Sequence, residues 1–158
     1  MNQKEMAPII IGKLLNIGGM LQKKSNHLMQ PFNLNHQQFS ILFEIYQEGK
    51  VNQKSMVNKL VLEKAHVSKV VKKLHTMGMI EIEESKEDKR SSWLLITEQG
   101  RKTVKACKKY LQKWNEEWTS EIDKEQLHAL INSLQVLQEV FTEKLLMNNG
   151  SSVNSNIQ

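Results

Sequence analysis

Apolar positions along the chain fall into helical stripes, interrupted once by strict alternation. Ile10, Leu14, Ile17, Leu21 and Leu28 share one face, which predicts a first helix from Pro8 to about residue 30. Pro8 suits a first helical position, where its missing N–H costs nothing, so residues 1–6 read as a loose arm. Gly12, Gly18 and Gly19 weaken this helix in isolation by about 1 kcal/mol each relative to Ala, so it needs a packing partner. Pro31 ends it. Asn35 with Gln38 forms a capping box for a second helix, whose buried side is Phe39, Leu42, Phe43 and Tyr46. Asn52 caps a short third helix with Met56, Val57 and Leu60 apolar. A tight turn at Val61 and Leu62 leads to a fourth, whose Val67, Val70, Val71 and Leu74 face a core before Gly78 stops it.

The period then changes. Residues 79–84 alternate apolar and acidic side chains, as a strand with one wet face does. Residues 85–91 form a charged hairpin tip, and residues 93–96 supply the returning strand. Thr97 caps a long helix that carries Val104, Tyr110, Leu111, Trp114 and Trp118 and lasts until about Ser120. After a capping box at Asp123 and Gln126, Leu127, Leu130, Leu134, Leu137, Phe141 and Leu145 recur at steps of three or four, a narrow seam suited to a neighbouring helix.

These elements predict a mainly α fold with a small β-hairpin wing. The helix-turn-helix and wing occupy residues 33–100. Helices over 8–32 and 101–147 serve dimerisation, and an Asn-, Ser- and Gly-rich tail over 148–158 is expected to be disordered. The stripes on the first and last helices flank a lobe with its own core, so a monomer would leave them in water. A homodimer is therefore expected, with Leu14, Ile17, Leu21, Leu130, Leu134, Leu137 and Phe141 at its interface.

Charge sharpens the picture. The net charge is +5, yet residues 50–110 hold 15 Lys or Arg against 7 Asp or Glu, and the remainder is net acidic. Such segregation favours a polyanion, and double-stranded DNA fits a cationic helix of this size. On the fourth helix Lys64, His66, Ser68, Lys69, Lys72 and Lys73 lie on the outward arc. The first four occupy the turns that meet base edges in the major groove, and Lys72 and Lys73 suit phosphates. At the hairpin tip stand Lys86, Asp88, Lys89 and Arg90. Arg90 suits the narrow minor groove because its guanidinium is weakly hydrated.

Other chemistries find little support. No nucleophile–base pair or phosphate loop is readable, so no catalytic residue is assigned and an enzyme is not expected. The five histidines lack ligand spacing, so neither a metal nor another cofactor is called for. A single cysteine, Cys107, excludes an internal disulfide and fits a reducing, cytoplasmic setting. Its basic neighbours would lower the thiol pKa, but a helix packed on a core favours an inert buried thiol over an oxidant sensor. No apolar run approaches the ~18 residues of a membrane span.

Asp88-x-Arg90 followed by Ile96-Thr97-x-x-Gly100 resembles the wing signature of the MarR (multiple antibiotic resistance regulator) family. Leu34, Gln37, Ile41 and Leu42 are similar to that family's entry to its second helix, and Leu74-x-x-x-Gly78-x-Ile80 to the end of its recognition helix. The likeness covers roughly residues 8–147, and departs at Ile82, where many members carry a basic residue. It implies a homodimeric winged-helix transcription factor that binds pseudo-palindromic DNA and often responds to a small-molecule effector or an oxidant; the leading reading is a repressor released by such a ligand. It further implies that Asp88 pairs with Arg90 and aims it. The competing reading is a winged-helix module whose basic surface contacts an acidic protein partner. Salt dependence of duplex binding separates the two.

Overall fold

A computed structural model of the chain describes residues 1–87 and 91–150. In order these form α1 (Gln3–Met29), a 3-10 turn (Gln30–Phe32), α2 (His36–Glu48), β1 (Lys50–Asn52), α3 (Gln53–Leu60) and α4 (Lys64–Thr76). They continue as β2 (Ile80–Glu84), β3 (Ser92–Ile96), α5 (Glu98–Thr119) and α6 (Lys124–Gly150). The chain divides into two compact units, one from Met1 to Gln112 and the other from Lys113 onward.

Within the first unit the core gathers around α2. Ile41, Leu42 and Ile45 are fully enclosed, and α4 packs against them with Val67, Val70, Val71 and Leu74. Each such side chain contributes about 1.5–3 kcal/mol on leaving water. Met56 from α3, Ile80 and Leu94 from the sheet, and Val104 and Cys107 from α5 are buried as well. The second unit contains α6, where Leu130, Leu134 and Phe141 are exposed and Leu127 and Leu137 half-buried.

Several boundaries differ from the sequence-based expectation. Asn2 and Glu5 make a reciprocal capping box, so α1 starts at Gln3 rather than at Pro8, and the expected loose arm is helical. Pro8 sits just past the first turn. The expected two-stranded wing is a three-stranded antiparallel sheet in the order β1-β3-β2, with Lys50 opposite Leu95 and Asn52 opposite Trp93. Three residues are too few for a readable alternation, and only the distant partner makes β1 a strand. At the C-terminal end α6 runs to Gly150, through the first residues of the expected tail, and residues 151–158 lie outside the described residues.

The capping expectations at Asn35 and Asn52 hold. The Gln38 N–H donates to Asn35 Oδ1 at 2.8 Å, and the Lys54 N–H donates to Asn52 Oδ1 at 2.9 Å. At Thr97 the junction is tighter than a cap alone. Its hydroxyl donates to the Gly78 carbonyl at 2.7 Å and accepts the Gly100 N–H at 3.0 Å, while its own N–H donates to the Met79 carbonyl at 3.1 Å. A Cβ on Gly100 would stand 2.2 Å from the Met79 oxygen and 2.8 Å from Ile96 Cγ1. Glycine is the residue that lets α5 start against the strand.

The α3–α4 turn carries strain. Val61 has φ 52° and ψ 48°, a left-handed conformation that a β-branched residue rarely adopts, and it is 79% exposed. The Leu62 N–H donates to the Val57 carbonyl at 3.2 Å, closing a helix end at which glycine is the usual occupant.

Cys107 is fully enclosed, and burial pushes its thiol up to about 11 from an ordinary 9.0. Desolvation is the largest cause and outweighs a lowering hydrogen bond from its own backbone, in line with the inert-thiol expectation. The native state keeps this proton up to about pH 11, whereas the unfolded chain releases it near 9.0. Between those values the unfolded state binds fewer protons, so stability falls as pH rises.

Four outcomes follow from this packing. Val61→Gly raises stability by about 1 kcal/mol in urea denaturation, since left-handed strain is relieved and little packing is lost. Gly100→Ala lowers it by about 2 kcal/mol or more through overpacking against backbone. Iodoacetamide leaves Cys107 unmodified in the native protein near neutral pH and alkylates it after denaturation, and Cys107→Ala lessens the stability lost above pH 9.0.

Candidate nucleic-acid interface

The apolar residues of α4 are spent on the core, so its remaining arc must face solvent. Lys64, Lys69, Lys72 and Lys73 are all exposed, and no acid among the described residues pairs with them. Glu63 occupies the N-cap without a side-chain hydrogen bond, leaving first-turn N–H groups and the positive end of the helix dipole open. A ridge of lysines with a free helix start is a surface that attracts anions.

The six candidate residues on α4 are not equivalent. His66 is half-buried, and its Nε2 is enclosed without a hydrogen-bond partner, so that nitrogen does not face outward as the helical wheel suggested. Ser68 is also half-buried, and its hydroxyl oxygen accepts a hydrogen bond from Gln53 Nε2 at 3.0 Å. The four lysines alone are fully outward.

Two basic residues outside α4 divide sharply. Lys59 on α3 is paired with Glu44 of α2 and, at 3.2 Å, with Glu48. Glu44 is only 6% exposed, so Lys59 neutralises a carboxylate that would otherwise be stranded. Those hydrogen bonds, Glu44 first, raise the Lys59 pKa. Lys54, at the start of α3, is exposed and lines, together with Lys64, Gln53, Asn58 and Ser68, a groove of about 510 Å³. Sequence reasoning passed over Gln53 and Lys54, because the groove exists only once α3 and α4 are side by side.

The wing is built on the register that pairs Ile80 with Ile96 and Glu84 with Ser92. Beyond it the Ser85 N–H donates to the Ser91 carbonyl at 3.2 Å. Lys86 is exposed near the tip. Asp88, Lys89 and Arg90, assigned to DNA contact from the sequence, lie outside the described residues. On the outer face of the sheet Lys50 pairs with Glu83 at 2.7 Å and lies 5.3 Å from the centre of the Trp93 ring. Asn52 Nδ2 also donates to the Ser91 hydroxyl, tying the start of α3 to the wing strand. Among the described residues no group of three or more His, Cys, Asp or Glu could hold a metal ion. No described helix is long and apolar enough to cross a membrane.

Known proteins share this arrangement. The family model for the MarR family matches residues 34–92, which run from the entry of α2 to the start of β3. The uncharacterized HTH-type transcriptional regulator YwoH of Bacillus subtilis is 26% identical over 110 residues, covering 70% of this chain and 80% of that protein. The crystal structure of a MarR transcriptional regulator from Methanosarcina mazei Go1 superposes with a TM-score of 0.74 at 27% identity, over 88% of this chain and 98% of that one. A mutant MarR from E. coli complexed with operator DNA shares the fold, with a TM-score of 0.73 at 18% identity over 83% and 95% of the two chains. The matched lobe and the likeness along most of the chain agree: residues 34–92 match the MarR family, and the chain as a whole is similar in sequence and fold to winged helix-turn-helix regulators of that family.

Proposed function

We propose that the protein is a sequence-specific double-stranded DNA-binding regulator, acting as a homodimeric repressor on a pseudo-palindromic operator in the cytoplasm. The observation that carries this reading is the lysine ridge on α4, unpaired among the described residues and held outward by four buried apolar side chains. Long donors on such a helix reach phosphates and base edges in the major groove. The wing, through Lys86, Asp88, Lys89 and Arg90, engages the adjacent minor groove. The operator-bound E. coli relative supports the same docking mode by its fold.

Dimerisation rests on exposed apolar surface. On α1, Ile17 and Leu21 are joined by Ile9, Ile11, Leu15 and Met20 in facing solvent, with Leu15 at 73%. On α6, Leu130, Leu134 and Phe141 are joined by Ile131 at 60% and Val136 at 61%. Surfaces of this kind mark protein interfaces. In this reading residues 8–32 and 101–147 serve dimerisation and residues 33–100 contact DNA. A twofold dimer places two α4 helices about 34 Å apart, one turn of duplex. Release by a small-molecule effector follows from the family likeness.

Selection of bound sequences from random duplex DNA tests the proposal and should return a palindrome. Affinity for the selected duplex should fall steeply with salt, the log–log slope reflecting the phosphates contacted. Arg90→Ala weakens operator binding roughly tenfold while light scattering still reports a dimer. Absence of duplex binding at low salt, together with capture of an acidic protein, would contradict the regulator reading.

A further inference from the structure

Asn52 and Gln53 stand next to each other where β1 becomes α3, and they reach in different directions. Asn52 Nδ2 donates to the Ser91 hydroxyl on the returning arm of the wing. Gln53 Nε2 donates to the Ser68 hydroxyl, and both residues line the groove that Lys54 and Lys64 also line. Two consecutive side chains thus tie the start of α3 to both parts of the lobe that face a duplex.

The bond to Ser68 has a consequence for chemistry. A hydroxyl carries one proton and two acceptor lone pairs, and the proton rotates to suit its neighbours. Gln53 occupies one lone pair with an N–H. Serines in the middle of helices often return their proton to the carbonyl four residues earlier, as Ser40 does to His36 at 2.8 Å. Ser68 makes no such bond among the described residues. Its proton is therefore available toward the groove. Serine by itself reads a base as donor or acceptor without preference. With an N–H already delivered to it, donation becomes the favoured role.

We infer that Gln53 is a positioning residue that sets Ser68 as a hydrogen-bond donor, so that each half-site carries one base pair selected for an acceptor edge: purine N7, guanine O6 or thymine O4. The inference rests on the DNA-binding reading above and deepens it. Gln53 touches no base in this scheme, and it acts through Ser68.

The test measures binding of full-length protein to the selected operator, to its single base-pair variants and to an unrelated duplex. Wild-type protein discriminates at the Ser68-dependent base pair by about five- to tenfold, the size of one good polar contact. Ser68→Ala abolishes that discrimination. Gln53→Ala abolishes it at the same base pair, adds nothing in the Ser68→Ala background, and leaves affinity for the unrelated duplex unchanged. Gln53→Glu provides the sharper result. A carboxylate can only accept, so Ser68 must give it the proton and turn lone pairs outward, and preference at that pair shifts toward a base presenting a donor, adenine N6 or cytosine N4. The inference is overturned if Gln53→Ala keeps the wild-type preference, if it weakens operator and unrelated duplex alike, or if Gln53→Glu retains the original base. Failure of wild-type protein to bind any duplex would sink the DNA-binding reading itself, a result separable from all of these.

Discussion

Val67, Val70, Val71 and Leu74 can leave water in one way only, by laying one side of α4 against α2. That constraint sets the direction of everything else on the helix. At roughly 1.5–3 kcal/mol per buried side chain, rotating α4 to hide its lysines would forfeit more than surface electrostatics could return. The cationic ridge is thus a product of packing. Its charges are outward because the apolar residues have no alternative, and the helix start is open because Glu63 does not close it.

Charge is handled differently on α2, α3 and the sheet. Glu44 is a buried carboxylate, and Lys59 is committed to it and to Glu48. Lys50 is likewise committed to Glu83 across the sheet. These pairs join α2 to α3 and β1 to β2, so they hold the lobe together at little cost in exposed cations. Lys54, Lys64, Lys69, Lys72 and Lys73 have no acid partner among the described residues and remain for a polyanion. One group of lysines maintains geometry while the other provides potential.

The wing depends on junctions more than on its own length. Thr97 receives and gives hydrogen bonds across Gly78, Met79 and Gly100, so the first strand of the wing, the last strand and α5 meet at one backbone knot. Gly100 allows that approach. Asn52 adds a second tie from the start of α3 to Ser91. The signature Ile96-Thr97-x-x-Gly100 therefore has a mechanical meaning. It fixes where the hairpin leaves the lobe.

Local chemistry made much of this readable in advance. The caps at Asn35 and Asn52, the stop at Gly78, the buried face of α4 and the alternation of β2 each depend on neighbours within a few residues, and such signals survive in a linear chain. The family likeness was equally legible, since its residues cluster between Leu34 and Gly100. What depended on distant partners was not. β1 is a strand only because Leu94 and its neighbours lie alongside it, and the helical arm before Pro8 hinged on a reciprocal cap that outweighed a proline. The unlike fates of His66, Ser68 and the four lysines, which one helical wheel had grouped together, were decided by side chains from other elements. Periodicity specifies which side of a helix is buried; the depth of each residue, and the partner its polar atoms find, belong to the three-dimensional packing.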